Sequence, residues 1–301
     1  MSQAPVAVPA SATLATAPRK APARPSYEAL RVFARNPGAM LGVLLLAVIL
    51  AVTLFGPALM QADPFEIVSA PMDPPGGELW LGSDYLGRDV LTGMVYGGRA
   101  TLLVGVVAAV LSMAIGVTVG ALAGYYGGWV DETLMRITEF FQVLPALLFA
   151  MVLVTLFSPS LATIAVAIGV VSWTGTARLA RGEFLRLKRR EYVLAERVIG
   201  ASNARIIWRV ILPNALAPLI VSATLAIGTA ILFEAGLSFL GLGDPNVMSW
   251  GLMIGSNRPY ILAAWWAVTL PGAAIFVTVL AVSLIGDGLN DALNPNSRGR
   301  A

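Results

Sequence analysis

Five stretches of this chain run without a charged side chain for longer than the core of a water-soluble domain requires. They hold 27 residues between Arg35 and Asp63, 31 between Arg99 and Asp131, 38 from Phe140 to Ala177, 24 between Arg209 and Glu234, and 28 between Arg258 and Asp287. A charge at mid-bilayer costs at least ~2.5 kcal/mol on insertion scales, so uncharged runs of this length mark membrane crossings. About 20 residues, rising ~1.5 Å each, cross a hydrocarbon core of ~30 Å. Four of the runs fit one helix each, the first built on the apolar block Ala39–Met60. The run from Phe140 to Ala177 is too long for one helix, and Ser158-Pro159-Ser160 interrupts it where a turn belongs, so it predicts a hairpin of two. The expected fold class is an all-α polytopic membrane protein with six transmembrane helices.

The basic residues test that count. With a cytoplasmic N-terminus, six spans place Arg19, Lys20, Arg24, Arg31 and Arg35, then Arg136, then nine residues from Arg178 to Arg209, then Arg298 and Arg300 on the inner side. That is 17 of the 20 Lys and Arg, leaving Arg88, Arg99 and Arg258 outside. Such a bias is the usual orientation signal, and it predicts that both termini are cytoplasmic. It also accounts for the net charge of +3 without a nucleic-acid partner.

Only 12% of the residues are charged, against about 25% in soluble proteins, and 57% are apolar. The chain has no Cys and no His. Thiol nucleophiles, imidazole bases and most zinc sites are thereby removed, and no metal site or catalytic residue is expected. No phosphate-binding loop is present, because neither Lys20, after Arg19, nor Lys188, after Leu187, is preceded by Gly. Work against a gradient needs an ion gradient or an ATPase on another polypeptide.

Residues 1–26 carry Pro5, Pro9, Pro18, Pro22 and Pro25 and no hydrophobic period, which predicts a disordered tail in place of a cleaved signal, with the first span as an uncleaved anchor. In the outer segment, roughly residues 61–99, Val90, Leu91, Met94 and Val95 recur at helical spacing and predict an interfacial helix leading into the second span. Trp80, Tyr85 and Tyr96 suit the headgroup level. This segment reads equally as a solvated loop or as a substrate contact. Gly116, Gly120 and Gly124 form a small-residue stripe for close helix packing, within the bundle or against another subunit. Asp287 and Asp291, beside Gly286 and Gly288, read as a helix stop after the sixth span.

The most specific segment lies between the fourth and fifth spans. Residues 191–202, Glu-Tyr-Val-Leu-Ala-Glu-Arg-Val-Ile-Gly-Ala-Ser, read as a short amphipathic helix stopped by Gly200. Nine residues after Gly200 comes Val210-Ile211-Leu212-Pro213, with Pro213 taken as the re-entry into membrane. A rigid helix held there could pass force from a soluble partner, or the basic loop could lie on anionic lipid.

This segment resembles the signature of ABC importer permeases: Glu-Ala-Ala, three residues, Gly, nine residues, Ile, one residue, Leu-Pro. Ala195, Gly200, Leu212 and Pro213 match, whereas Leu194, Glu196 and Val210 stand for the Glu, the second Ala and the Ile. Three further segments resemble the C-type permease subunit of dipeptide/oligopeptide/nickel ABC importers. They are Leu81-Gly-Ser-Asp-Tyr-Leu-Gly-Arg-Asp-Val90, Glu234-Ala-Gly-Leu-Ser-Phe-Leu-Gly-Leu-Gly243 and Leu284-Ile-Gly-Asp-Gly-Leu-Asn-Asp-Ala-Leu-Asn-Pro295. In the last, Asn290 and Asn294 replace the Arg and Asp often seen.

The resemblance, over about residues 27–297, implies a type I ABC importer permease fold in a bacterial inner membrane. It implies a paralogous permease partner, two ATP-binding subunits holding ATP and Mg2+, and a periplasmic substrate-binding protein; this chain would bind no cofactor and catalyse nothing. The ATPase-coupling residues would be Leu194, Ala195, Glu196, Val198, Gly200, Ala201, Val210, Leu212 and Pro213, with Leu194 and Val198 as the apolar anchor. The implied organisation is a tail at 1–26, an N-terminal segment with the first span at 27–99, a core at 100–297 with its coupling loop at 178–213, and a tail at 298–301. Glu234, the acid placed within or at the end of a span, is a candidate for the outer gate or a substrate's amino terminus; alternatively it marks where the fifth span emerges. An ion-coupled transporter or a membrane scaffold are the competing functions, but the first would want more acids at mid-membrane.

Overall fold

The computed structural model describes residues 25–293. The expected tail at 298–301, and the part of the 1–26 tail up to residue 24, lie outside the described residues. Helix α1 (Pro25–Arg35) opens inside the expected tail. Asn36 separates it from α2 (Pro37–Met60); its side chain accepts the Ala39 amide at 3.2 Å, and Pro37 suits a first helical position because no partner awaits its missing N–H. Helix α3 (Val90–Tyr126) has 37 residues and is about 55 Å long. Asp89 caps it by accepting from the amides of Leu91 and Thr92. Val90–Val95 are therefore its first turns, and the helix predicted there runs without interruption into the second span.

After α3 come α4 (Gly128–Val143), α5 (Ala146–Phe157), α6 (Leu161–Leu187) and α7 (Glu191–Val198). The chain continues in α8 (Asn203–Leu242), a short α9 (Trp250–Asn257) and α10 (Trp266–Leu293). Among the described residues, α2, α3, α6, α8 and α10 are long and apolar enough to cross a membrane. The sixth crossing is bent. α5 has 12 residues, about 18 Å, and meets α4 at 86° where Pro145 begins it. Ser158 and Ser160 form the expected turn, Ser160 capping α6 through the Thr163 amide.

The packing of α3 on α6 fixes this count. Gly116 faces Trp173 and Thr176, Gly120 faces Ala177 and Ala180, and Gly124 faces Phe184, so the two helices run parallel. Leu161, at the start of α6, lines a recess with Tyr96 and Arg99 near the start of α3. Parallel neighbours require a return across the bundle, and α4 with α5 supplies it. A Cβ on Gly120 would sit 2.2 Å from the Ala177 carbonyl oxygen, so only glycine allows this approach.

One further expectation changes. α10 continues through Asp287 and Asp291: Gly286 packs on Thr224, Gly288 on Ala39, and Asn36 donates to Asp291 at 3.1 Å. Close packing, not termination, explains those glycines. The connection at 178–213 is mostly helix, because α6 runs to Leu187 and α8 starts at Asn203. Pro213 therefore lies within a continuous helix and not at the start of one. It follows a π-helical turn over Ile206–Ile211, where the Leu212 amide reaches back to the Ile207 carbonyl, a widening that accommodates a ring unable to donate to the preceding turn.

Candidate functional site

One end of the bundle gathers α7 and the C-terminal ends of α3 and α6, and it is basic. α7 is a helix for local reasons. Glu191 lies in its first turn and Arg197 in its last, both favourable to the helix dipole. Gly200 at φ +82° closes it, donating to the Arg197 carbonyl at 3.0 Å while the Ala201 amide reaches the Glu196 carbonyl at 3.0 Å. Ser202 then caps α8, and Glu196 faces Arg205 at 3.8 Å.

The root of α7 is Val193, fully buried among Phe184, Leu187, Ile206 and Ile207. Val210, Leu212 and Ala201 pack partly against the same cluster. The opposite side is bare: Leu194 is 46% exposed, Ile199 75% and Val198 86%. Ala195 and Pro213 are exposed as well, and Gly200 has no neighbour within 4 Å of where a Cβ would stand.

Polar ties lock this lever to the spans. Lys188 donates to the Gly124 carbonyl at 2.7 Å, at the C-terminal end of α3, where the helix dipole favours a cation. Burial pulls its ammonium below the usual lysine range, while nearby Asp131 opposes that shift. The Tyr125 hydroxyl donates to Asn203 at 2.7 Å, and the Arg197 guanidinium lies 5.3 Å from the Tyr125 ring centre. Arg181 of α6 holds Asp131 of α4 in a two-pronged ion pair at 2.5 and 2.6 Å. Sequence reasoning found the exposed side of α7 but missed Val193, Lys188 and the Tyr125–Asn203 tie.

The other end is capped by residues 61–89 and α9. Tyr85 stacks on Tyr260 at 5.3 Å and its amide donates to Asn257 at 3.0 Å. Trp266 Nε1 donates to the Ser83 carbonyl at 3.0 Å, and Asp84 accepts from the amides of Leu86 and Arg88. The segment is thus a docked cap, with Tyr85 in a ring stack while Trp80 stays 77% exposed.

Glu234 lies beneath this cap, in α8, and is fully buried. Ser249 donates to its Oε1 at 2.8 Å, Ser238 to Oε1 at 2.9 Å, and Thr101 to Oε2 at 3.4 Å. Ser249 also caps α9, accepting from the Leu252 amide at 3.0 Å. One carboxyl group therefore joins α3, α8 and α9. Sequence reasoning found Glu234 but neither α9 nor these three hydroxyls.

Comparison with known proteins decides what this arrangement belongs to. Residues 116–299 match the model of the binding-protein-dependent transport system inner membrane component, and residues 25–75 match the N-terminal TM domain of oligopeptide transport permease C. The chain belongs to this permease family. Among its relatives, the Di/tripeptide transport system permease protein DppC of Pseudomonas aeruginosa is 40% identical, covering 92% of this chain and 94% of the relative. The Dipeptide transport system permease protein DppC of Bacillus subtilis is 42% identical over 91% and 86%. The MetNI methionine ABC transporter in an inward facing conformation has a similar fold, with a TM-score of 0.57 and 22% identity over 67% of this permease and 96% of that chain.

Proposed function

We propose that this permease is one of two membrane halves of an ATP-driven importer of dipeptides or short oligopeptides. Its partners are a paralogous permease, two ATP-binding subunits carrying ATP and Mg2+, and a periplasmic protein that delivers the peptide. The site is a bacterial inner membrane, with the basic end and both termini in the cytoplasm. The bias of Lys and Arg supports that orientation, and the names of the peptide-permease relatives support the substrate class.

The observation that carries the mechanism is the exposed apolar side of α7. Leu194, Val198 and Ile199 project from a helix whose root, cap and flanks are all fixed to the bundle. Such a helix suits a groove on an ATP-binding subunit, with Val198 as the anchor. When two such subunits close on ATP, a lever fixed to α6 and α8 transmits the movement to the spans and shifts the bundle between inward- and outward-open forms. Hydrolysis belongs to the partner subunits. Glu234, with no open face, acts as a positioning residue that ties the cap to the bundle, not as a contact for peptide.

Val198→Asp tests this. It should leave the permease inserted and folded, because Val198 is 86% exposed, while ATP-binding subunits no longer co-purify and peptide uptake is lost. Normal co-purification and uptake would overturn the proposal.

A further inference from the structure

We propose that a hydroxyl-lined recess between α3, α6 and α8 is this permease's share of the substrate path, holding backbone amide groups of a peptide in transit. This rests on the importer reading above. The recess is about 170 Å³ and is lined by Ser112, Ser172, Gly175, Thr176, Ser222 and Thr229, among others. None of its lining residues is charged.

Ser112 carries the inference. It is 2% exposed, and its Oγ has no hydrogen-bond partner among the described residues. A buried hydroxyl without a partner is costly in an apolar bundle, so it points to a group that arrives. Thr176 and Thr229 are partly engaged, donating to Met113 Sδ at 3.6 Å and to the Leu225 carbonyl at 2.9 Å. Their oxygens still accept.

Size and chemistry narrow the occupant. The recess is several times the ~30 Å³ share of one water. It is smaller than the ~300 Å³ of a complete small-molecule pocket, so it is one wall of a larger path. A hydroxyl both donates and accepts, matching a peptide N–H and C=O alike. With no charge to favour or repel a side chain, such a wall guides the shared backbone and leaves side chains unselected.

The test uses the complete transporter in proteoliposomes. The chain has no Cys, so Ser172→Cys and Ser222→Cys each introduce a unique thiol into it, with Val48→Cys on α2 and Val152→Cys on α5 as exposed apolar controls. The rate of reaction with a charged, membrane-impermeant thiosulfonate is measured during ATP turnover, with and without dialanine. Both path thiols should react. Dialanine at ten times its half-saturating concentration should slow them about tenfold by occupancy, while the lipid-facing controls stay unreactive throughout. Ser112→Ala should raise the KM for dialanine about three- to tenfold, the usual worth of one neutral hydrogen bond.

Thiols that are unreactive or unprotected in a complex that still takes up dialanine would overturn the recess alone, as would an unchanged KM for Ser112→Ala. A partner permease filling the recess would give the unreactive result. A complete complex that takes up no peptide would overturn the importer reading, and the recess with it.

Discussion

The two ends of this permease use the same kinds of side chain in opposite ways. At the capped end, Tyr85 is paired with Tyr260, Trp266 with Ser83 and Ser249 with Glu234, and residues 61–89, α9 and the spans close into one body. At the basic end, α7 is fixed as firmly, through Val193, Gly200 and its polar flanks, yet presents Leu194, Val198 and Ile199 to the outside. The contrast separates residues that hold a shape from residues that await a partner. Substitutions at the capped end should act on stability, and those on the bare side of α7 on assembly and transport.

The largest effect belongs to the contact on which both ends depend. Gly120→Val places a branched side chain against the Ala177 carbonyl and should destabilise the permease by about 3 kcal/mol or more, seen as loss of folded protein after detergent extraction. Glu234→Ala should come next. It removes the acceptor from Ser249, Ser238 and Thr101, at about 1 kcal/mol for each, and should lower the thermal midpoint and expose residues 61–89 to protease. Wild-type stability in that variant would erase the distinction drawn for the capped end. Gly200→Ala should cost about 1–2 kcal/mol at the α7 cap, because φ +82° is left-handed, and should reduce uptake while the spans stay folded.

Lys188 gives the smallest effect and sharpens the account of the basic end. Its folded-state pKa lies below the unfolded value, so the unfolded chain binds more protons between the two. Stability contributed by this group should therefore rise with pH in the window just below the ordinary lysine value of about 10.4 and stay level beneath it. Equilibrium unfolding across that window, compared with Lys188→Met, measures it. A parallel pH dependence in both proteins would contradict the burial assigned to Lys188.

The legibility of the sequence follows the range of the interactions. Uncharged runs located the spans because desolvation acts residue by residue, and Gly200 announced the end of α7 because its cap involves only neighbours. The bend at Pro145 left no such mark: α4 keeps charges such as Asp131 and Glu139 along an amphipathic helix, so the uncharged run opens inside it. α9 was missed because eight residues make no hydropathy signal. The cage around Glu234 draws Thr101 from 133 residues away, and no local pattern records such a pairing. Asp287 and Asp291 misled because glycine beside an acid marks a helix end as readily as a packing site, and only Ala39 and Thr224 decide between them.

The central claim is that α7 is seated on an ATP-binding subunit at the cytoplasmic face. Its most direct test is Val198→Cys labelled by an impermeant maleimide in membranes of known orientation, with and without the ATP-binding subunits. Reaction from the cytoplasmic side alone, suppressed when those subunits are bound, is the expected result. Reaction from the outside, or undiminished reaction in the assembled transporter, would contradict it.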